Sequence, residues 1–440
     1  MESKAPMNRS VVFALAWPII LSNISTPMLG LVDTAVIGNL GDPALIGAVA
    51  IGAIVFSFLF WGFGFLRMGT TGLIAQAKGA DDTPEIKATL YRAMITALVI
   101  GIALVIFQRP IADLTFAMID GSEKVESAAK TYFQIRIWAA PFTLLYLVCL
   151  GYLLGHQNTK AILATQLMLN GINIALDFVF VVGFGWGVAG IAFATIIAEL
   201  ITAVVALAIV MRHLHQTCDG LRPDFSRLTD LFQLRKTFVV NRDIMIRTLC
   251  LIFAFAWFTN EGAKSGDILL ATNAILMQFV SFSAFFLDGY ALAAESLIGQ
   301  AVGQRKKALL NQTIRLTGEL GLVTATFLTV LFWAIGPFAI DFLTNVEAVR
   351  DSARTYLPWI IAAPLLSFWC YLLDGIFIGA TKTAEMRNAM IISLALYLLA
   401  WWQLTPILGN HGLWLSLMVY FIARAATLYY YLPRVRSLTR

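Results

Sequence analysis

Twelve stretches of about twenty apolar residues divide this 440-residue chain. They lie near 11–39, 44–77, 88–107, 131–155, 160–183 and 187–211, and then near 244–261, 268–300, 311–335, 355–379, 383–407 and 411–433. A soluble domain carries charge on about a quarter of its residues, whereas here only 13% are charged and 59% are hydrophobic. With a mean hydropathy of +0.79, the surplus of apolar surface has no place in a water-soluble core. The expected fold is an all-α polytopic membrane protein with twelve transmembrane helices.

Loop charge gives the topology. With the N-terminus in the cytoplasm, the even-numbered loops with the helix turns adjoining them, and both ends, carry 22 Lys and Arg. The opposite side carries 6, and Arg67, Arg136 and Arg424 within helices complete the 31. The positive-inside rule therefore puts both termini in the cytoplasm. The net charge of +5 is spread over membrane-facing loops, so no nucleic-acid surface is expected. The basic flank at Lys4 and Arg9 is followed by an apolar stretch too long for a cleaved signal, so this segment is read as retained. Cys149, Cys218, Cys250 and Cys370 are isolated and predict no disulfide framework.

The chain repeats itself at an offset near 224. GLIAQAKG at 72–79 matches SLIGQAVG at 296–303, and Ala139, Ala140 and Pro141 match Ala362, Ala363 and Pro364. Gly151 pairs with Gly375, and Gly155 with Gly379. Two pseudo-twofold-related six-helix bundles around a central cleft follow from such a repeat. The boundaries read as an N-terminal bundle at 1–211, a cytoplasmic linker at 212–243 and a C-terminal bundle at 244–440.

Charged side chains within a bilayer are costly, about 2.5–3.5 kcal/mol each at the helix centre, and mark function. Asp33 lies seven residues, or ~10 Å, below the outer end of the first helix. Asp177 and Thr195 fall in the same layer, on the fifth and sixth helices. Asn170, Asn173 and Asp177 share one helix face, as do Thr195 and Glu199, and Thr26 lines up with Asp33. These residues predict a polar pocket inside the first bundle, with Asp33, Asn173, Asp177 and Thr195 as the coupling set and Thr26, Asn170 and Glu199 lining the cavity. Two acids in one buried site repel, and burial disfavours the charged form. That suits reversible protonation, and the same oxygens suit a monovalent metal cation such as sodium.

The corresponding positions of the second half are Trp257 and Trp401, so the coupling chemistry is assigned to the first half. Asp288, Glu295 and Asp374 are the second bundle's own polar candidates. Pro18 and Pro27 each remove a backbone hydrogen bond from the first helix and permit a bend there.

Familiar catalytic patterns do not hold up. Gly185, Gly187 and Gly190 match GxGxxG but lie at an outer turn between two helices, where no βαβ unit precedes them. No HExxH, GxSxG or phosphate-binding GxxxxGK[ST] motif occurs. The chain is therefore not expected to be an enzyme or to carry a cofactor.

Four strings carry a resemblance: LVDTAVIG at 31–38, FLRMGTTGLIAQA at 65–77, NRDIMIR at 241–247 and CYLLDGIFIGATKTAEMRN at 370–388. Through them the chain resembles multidrug and toxic compound extrusion transporters, within their DinF-like branch. The resemblance implies a secondary antiporter in the bacterial inner membrane. It would export small amphipathic, often cationic compounds against inward protons or sodium, and act as a monomer in the lipid bilayer. It also implies coupling roles for Asp33, Asn173, Asp177 and Thr195, with the bending proline at Pro18. A lipid-linked oligosaccharide flippase of related architecture is the alternative, disfavoured because few Lys or Arg lie within the helices.

Overall fold

The computed structural model describes residues 7–38, 43–117, 123–218 and 220–439. Within these, the side chains of 28–31, 33–35, 37, 38, 43, 44, 46 and 123 are excluded from the description. Helices dominate: α1 Arg9–Gly38, α2 Pro43–Gly62, α3 Phe65–Gly79, α4 Thr83–Ile106, α5 Gln108–Phe116, α6 Glu123–Arg136, α7 Ala140–Gly155, α8 Thr159–Asp177, α9 Gly187–Thr217 and α10 Phe225–Leu228. Then follow α11 Leu231–Lys264, α12 Asp267–Gly303, α13 Lys307–Leu343, α14 Glu347–Gly379, α15 Thr383–Leu408 and α16 Asn410–Arg436. No strand occurs among the described residues.

Eleven segments among the described residues are long and apolar enough to cross a bilayer. The remaining stretch of the twelve, 244–261, lies within the continuous helix α11. Helices suit a hydrocarbon environment because they pair most backbone donors and acceptors within the segment.

Two helices of the first half that the sequence reads as continuous are broken. The stretch 44–77 divides into α2 and α3, where Phe63 N donates to Phe60 O at 3.1 Å and Gly64 N to Trp61 O at 3.0 Å. Gly62 and Gly64 lower the helical preference of that turn. The stretch 131–155 divides into α6 and α7 around a 3₁₀ turn, Ile137–Ala139. Pro141 opens α7, where its missing N–H costs least. Their repeat partners α12 and α14 are unbroken.

The chain forms two units, Leu21–Asn241 and Met1–Ile20 with Arg242–Arg440. This partition differs from the sequence halves in two respects. The first residues belong with the second half: a Cβ on Gly289 of α12 would lie 2.3 Å from Ile20 Cγ1, Arg9 Nη2 bonds Glu319 Oε2 at 2.7 Å, and Gln312 Nε2 donates to Met7 O at 2.7 Å. The linker belongs with the first half, since Tyr91 Oη donates to Leu221 O at 2.9 Å and Arg227 faces Asp82 at 3.5 Å. Such contacts join residues far apart in the chain and leave no trace in local hydropathy.

The repeated glycines have one physical cause in both units. A Cβ on Gly151 of α7 would lie 2.6 Å from Arg67 O of α3, and one on Gly375 of α14 would lie 2.2 Å from Ala291 O of α12. Small residues let the paired backbones touch, as in other membrane helix pairs. After each of α3, α7, α12 and α14 the chain turns through one non-glycine residue in the left-handed region: Asp81, Gln157, Arg305 and Thr381. The bonds closing these turns match, as in Asn158 N to Leu153 O at 2.8 Å and Lys382 N to Phe377 O at 3.0 Å.

Candidate functional site

The polar cluster of the first unit is built on α8 and α9. Asn158 caps α8, its Oδ1 accepting from Ala161 N at 3.2 Å, which fixes the helix start and hence the phase of its polar face. Spacings of three and four along α8 then bring Asn170, Asn173 and Asp177 to one side, all buried. Directly after Asp177 the helix widens into a π-helical turn, Phe178–Gly183, a local form that is often found at functional sites. The outer turn to α9 uses Gly185 at φ 70° and Gly187 at φ 54°. The GxGxxG match is thus explained by backbone geometry.

Asn173 is the centre of the cluster. One end of its amide lies 3.0 Å from Asp177 Oδ2, and the other lies 3.2 Å from Thr195 Oγ1 on α9. Thr195 Oγ1 is also 3.0 Å from Ile191 O. Asp177 is fully buried and Thr195 nearly so. Two arrangements of hydrogens can be drawn, because O and N of an amide are assigned from their partners, and the heavy atoms favour the first: Thr195 N also lies 3.2 Å from the Thr195-facing end of the amide, where an oxygen accepts from it and a nitrogen meets it donor to donor. An ionised Asp177 calls for the Asn173 nitrogen on its side, with the amide oxygen turned to Thr195. A protonated Asp177 can instead donate to the amide oxygen. The nitrogen then donates to Thr195 Oγ1, whose hydroxyl is free to donate to Ile191 O.

Asn170 is held one turn earlier. Its Nδ2 donates to Ser25 Oγ and Ser25 O, both at 3.0 Å, and its Oδ1 accepts from Gln166 Nε2 at 3.2 Å. Thr26 is exposed, its hydroxyl 3.5 Å from Ser22 O within α1; its neighbour Ser25 is the residue that meets Asn170. Pro18 and Pro27 both lie inside α1. The side chain of Asp33 is outside the described residues.

Glu199 belongs to a second cluster. Arg136 Nη2 donates to its Oε1 at 3.1 Å, Thr143 donates to Oε2, and the Arg136 guanidinium lies over the Phe56 ring at 4.8 Å. Arg136, a charge inside an apolar helix, was the sequence signal for this pair.

In the second unit, Asp374 is buried between two arginines. Arg247 of α11 and Arg424 of α16 both donate to its Oδ2, Arg424 at 2.6 Å. Arg424 is 1% exposed and lies over Tyr420 at 5.4 Å and Tyr371 at 5.8 Å. Glu295 is buried on α12, and Asp288 is partly buried on the same helix. One turn before Arg247, the buried Asp243 receives Arg387 Nη1 at 2.7 Å. Trp257 and Trp401 pack edge to face, with ring centroids 4.9 Å apart.

Residues 18–179 and 244–402 match the MatE family model. The chain is 40% identical to DNA damage-inducible protein F of Escherichia coli over 94% of its own length and 90% of that protein's. It is 24% identical to the probable multidrug resistance protein NorM of Acinetobacter baylyi, covering 92% of each. A solved structure described as the outward-facing conformation of a multidrug resistance MATE family transporter of the MOP superfamily superposes with a TM-score of 0.90 at 18% identity, covering 98% of this chain and 97% of that one. At that identity the superposition establishes the fold.

Proposed function

Because the chain belongs to the MatE family, we propose that it is a secondary antiporter of the inner membrane, exporting amphipathic, often cationic compounds in exchange for inward protons. The observation that carries this reading is the buried Asp177, bonded through Asn173 to Thr195. A carboxylate at membrane depth is expensive, and this one sits where its proton can be registered by an amide and a hydroxyl. Loss of the proton turns the Asn173 amide and redirects the Thr195 hydroxyl away from Ile191 O. Gain of the proton restores both, so substrate affinity follows proton occupancy through a short chain of hydrogen bonds.

The repeat supports assigning Asp33 to the same function. Its counterpart Trp257 packs on Trp401, the counterpart of Asp177. In the second half an aromatic pair replaces two acids. The exporters named among the relatives favour drug-like cargo over a lipid-linked sugar. So does the pairing of Arg136 with Glu199, which commits that intramembrane cation to a protein carboxylate rather than to a pyrophosphate. The proposal includes cytoplasmic termini and a functional monomer with no resident cofactor.

The test is efflux of a fluorescent cationic dye from proteoliposomes under an imposed pH gradient or an imposed sodium gradient. A pH gradient alone should drive efflux, and Asp33→Asn or Asp177→Asn should abolish it while the protein still inserts. Undiminished efflux by both variants contradicts the coupling assignment. Efflux driven by sodium alone would make the coupling ion sodium.

A further inference from the structure

A groove of about 380 Å³ opens on the second unit between α13, α14 and α16. Its floor is apolar: Gly318 contributes no side chain, and Leu372 and Ile376 of α14 line it with Leu432 of α16. Its rim is polar and basic, formed by Arg315, Glu319 and Arg436. Trp369, 44% exposed, and Tyr429, 68% exposed, flank the groove and add apolar surface beside it.

The charges at the rim are unequal. Glu319 receives Arg315 Nε at 2.7 Å and Arg9 Nη2 at 2.7 Å, so its single negative charge is shared by two guanidiniums. Arg436, exposed at the end of α16, adds a third cation. Arg9 and Arg436 are the terminal residues of α1 and α16, and Arg315 and Glu319 lie two to three turns into α13, on the side where Arg305, Lys306, Lys307, Lys382 and Arg434 occur and which the positive-inside rule gives to the cytoplasmic leaflet. That leaflet is anionic, and basic pockets between membrane helices on that side hold acidic lipid headgroups.

We infer that this groove binds one anionic phospholipid of the surrounding leaflet, with an acyl chain along the Gly318 floor and the phosphate at Arg315 and Arg436. The volume suits a chain rather than a whole lipid, so the headgroup stays at the rim, where the arginines are. The lining helices are themselves apolar enough to span the membrane, so the occupant is the bilayer's own lipid, entering sideways.

Native mass spectrometry of the full-length protein, with phosphatidylglycerol and phosphatidylcholine added in equal amounts, tests the inference. The wild type should retain phosphatidylglycerol at least fivefold over phosphatidylcholine. Arg315→Ala with Arg436→Ala should remove that preference. Gly318→Ala, whose Cβ would meet Leu372 and Trp369 at an ordinary 3.8 Å, should also reduce it by narrowing the floor. Glu319→Gln, which deletes the competing carboxylate, should raise the preference. Equal retention of both lipids by the wild type, a preference unchanged in the groove and rim variants, or a mass showing a second copy of the chain in place of lipid would overturn it.

Discussion

The Asn173 amide bridges Asp177 Oδ2 at 3.0 Å and Thr195 Oγ1 at 3.2 Å, linking the last α-helical residue of one membrane helix to the first turns of the next. If this bridge transmits protonation, its far end matters as well as its acid. Thr195→Val keeps shape but removes the hydroxyl. It should slow proton-driven dye efflux by roughly tenfold, the equivalent of one hydrogen bond of about 1–1.5 kcal/mol. Dye retention without a gradient should be unchanged. Initial efflux rates in proteoliposomes decide this.

Asp374 presents a different kind of burial. Removing it by Asp374→Ala strands two guanidiniums that are already out of water, which typically costs about 3–5 kcal/mol. Glu319→Ala removes a carboxylate whose partners Arg9 and Arg315 are exposed, and such solvent-screened surface pairs contribute little. Thermal unfolding in detergent should therefore fall sharply for the first variant and little for the second. Equal effects would contradict the account of Asp374 as a buried brace between α11, α14 and α16.

Close approach of α12 and α14 predicts that Gly375→Val is destabilising by about 1–3 kcal/mol, as overpacking usually is. The Cβ would collide with backbone at Ala291 O, 2.2 Å away, and backbone yields less readily than a side chain. Gly171→Ala is the control: nothing lies within 4 Å of its Cβ, so its helix α8 should tolerate it. Unfolding midpoints of the two variants measure the contrast.

His156 follows the end of α7, packed on Tyr152 with centroids 4.2 Å apart. Its carbonyl accepts from Lys78 Nζ at 2.8 Å. Burial first, then Lys78 and His213, push its pKa down to about 3. The folded state thus holds a neutral imidazole, while the unfolded state protonates near 6.5. The unfolded chain binds the extra proton between these values, so stability is full above 6.5 and is lost as pH falls toward 3, by up to ~1.4 kcal/mol per pH unit. His156→Phe keeps the ring but cannot titrate. Its unfolding midpoint should fall less steeply on acidification than that of the wild type.

Much of this was legible in the sequence because the membrane imposes strong periodic rules. Span length, the glycine spacing at 151, 155, 375 and 379, and the polar face of α8 all follow from local pattern. Other features depend on distant partners. Arg247 reads as a charge at the start of an apolar stretch and Arg424 as an isolated intramembrane one; only the packing of α11, α14 and α16 brings both to Asp374. Ile20 against Gly289 likewise places the start of α1, but not the rest of that helix, with the second half, and no local signal encodes it. The π-helical turn after Asp177 is hidden in FVFVVG, an apolar run that fits an ordinary helix equally well. The break at Phe63 had a visible signal in Gly62 and Gly64, but glycine is common enough in membrane helices that it did not distinguish a break from close packing.

The central claim, that Asp177 links substrate binding to proton binding, is tested most directly by counting protons. Saturating cationic dye is added to the purified protein in weakly buffered detergent, and the pH change is recorded for the wild type and for Asp177→Asn. The account predicts proton release on dye binding by the wild type, and a clearly smaller release by the variant although dye still binds. Equal release by both proteins, or dye binding by the wild type with no release at all, would contradict it.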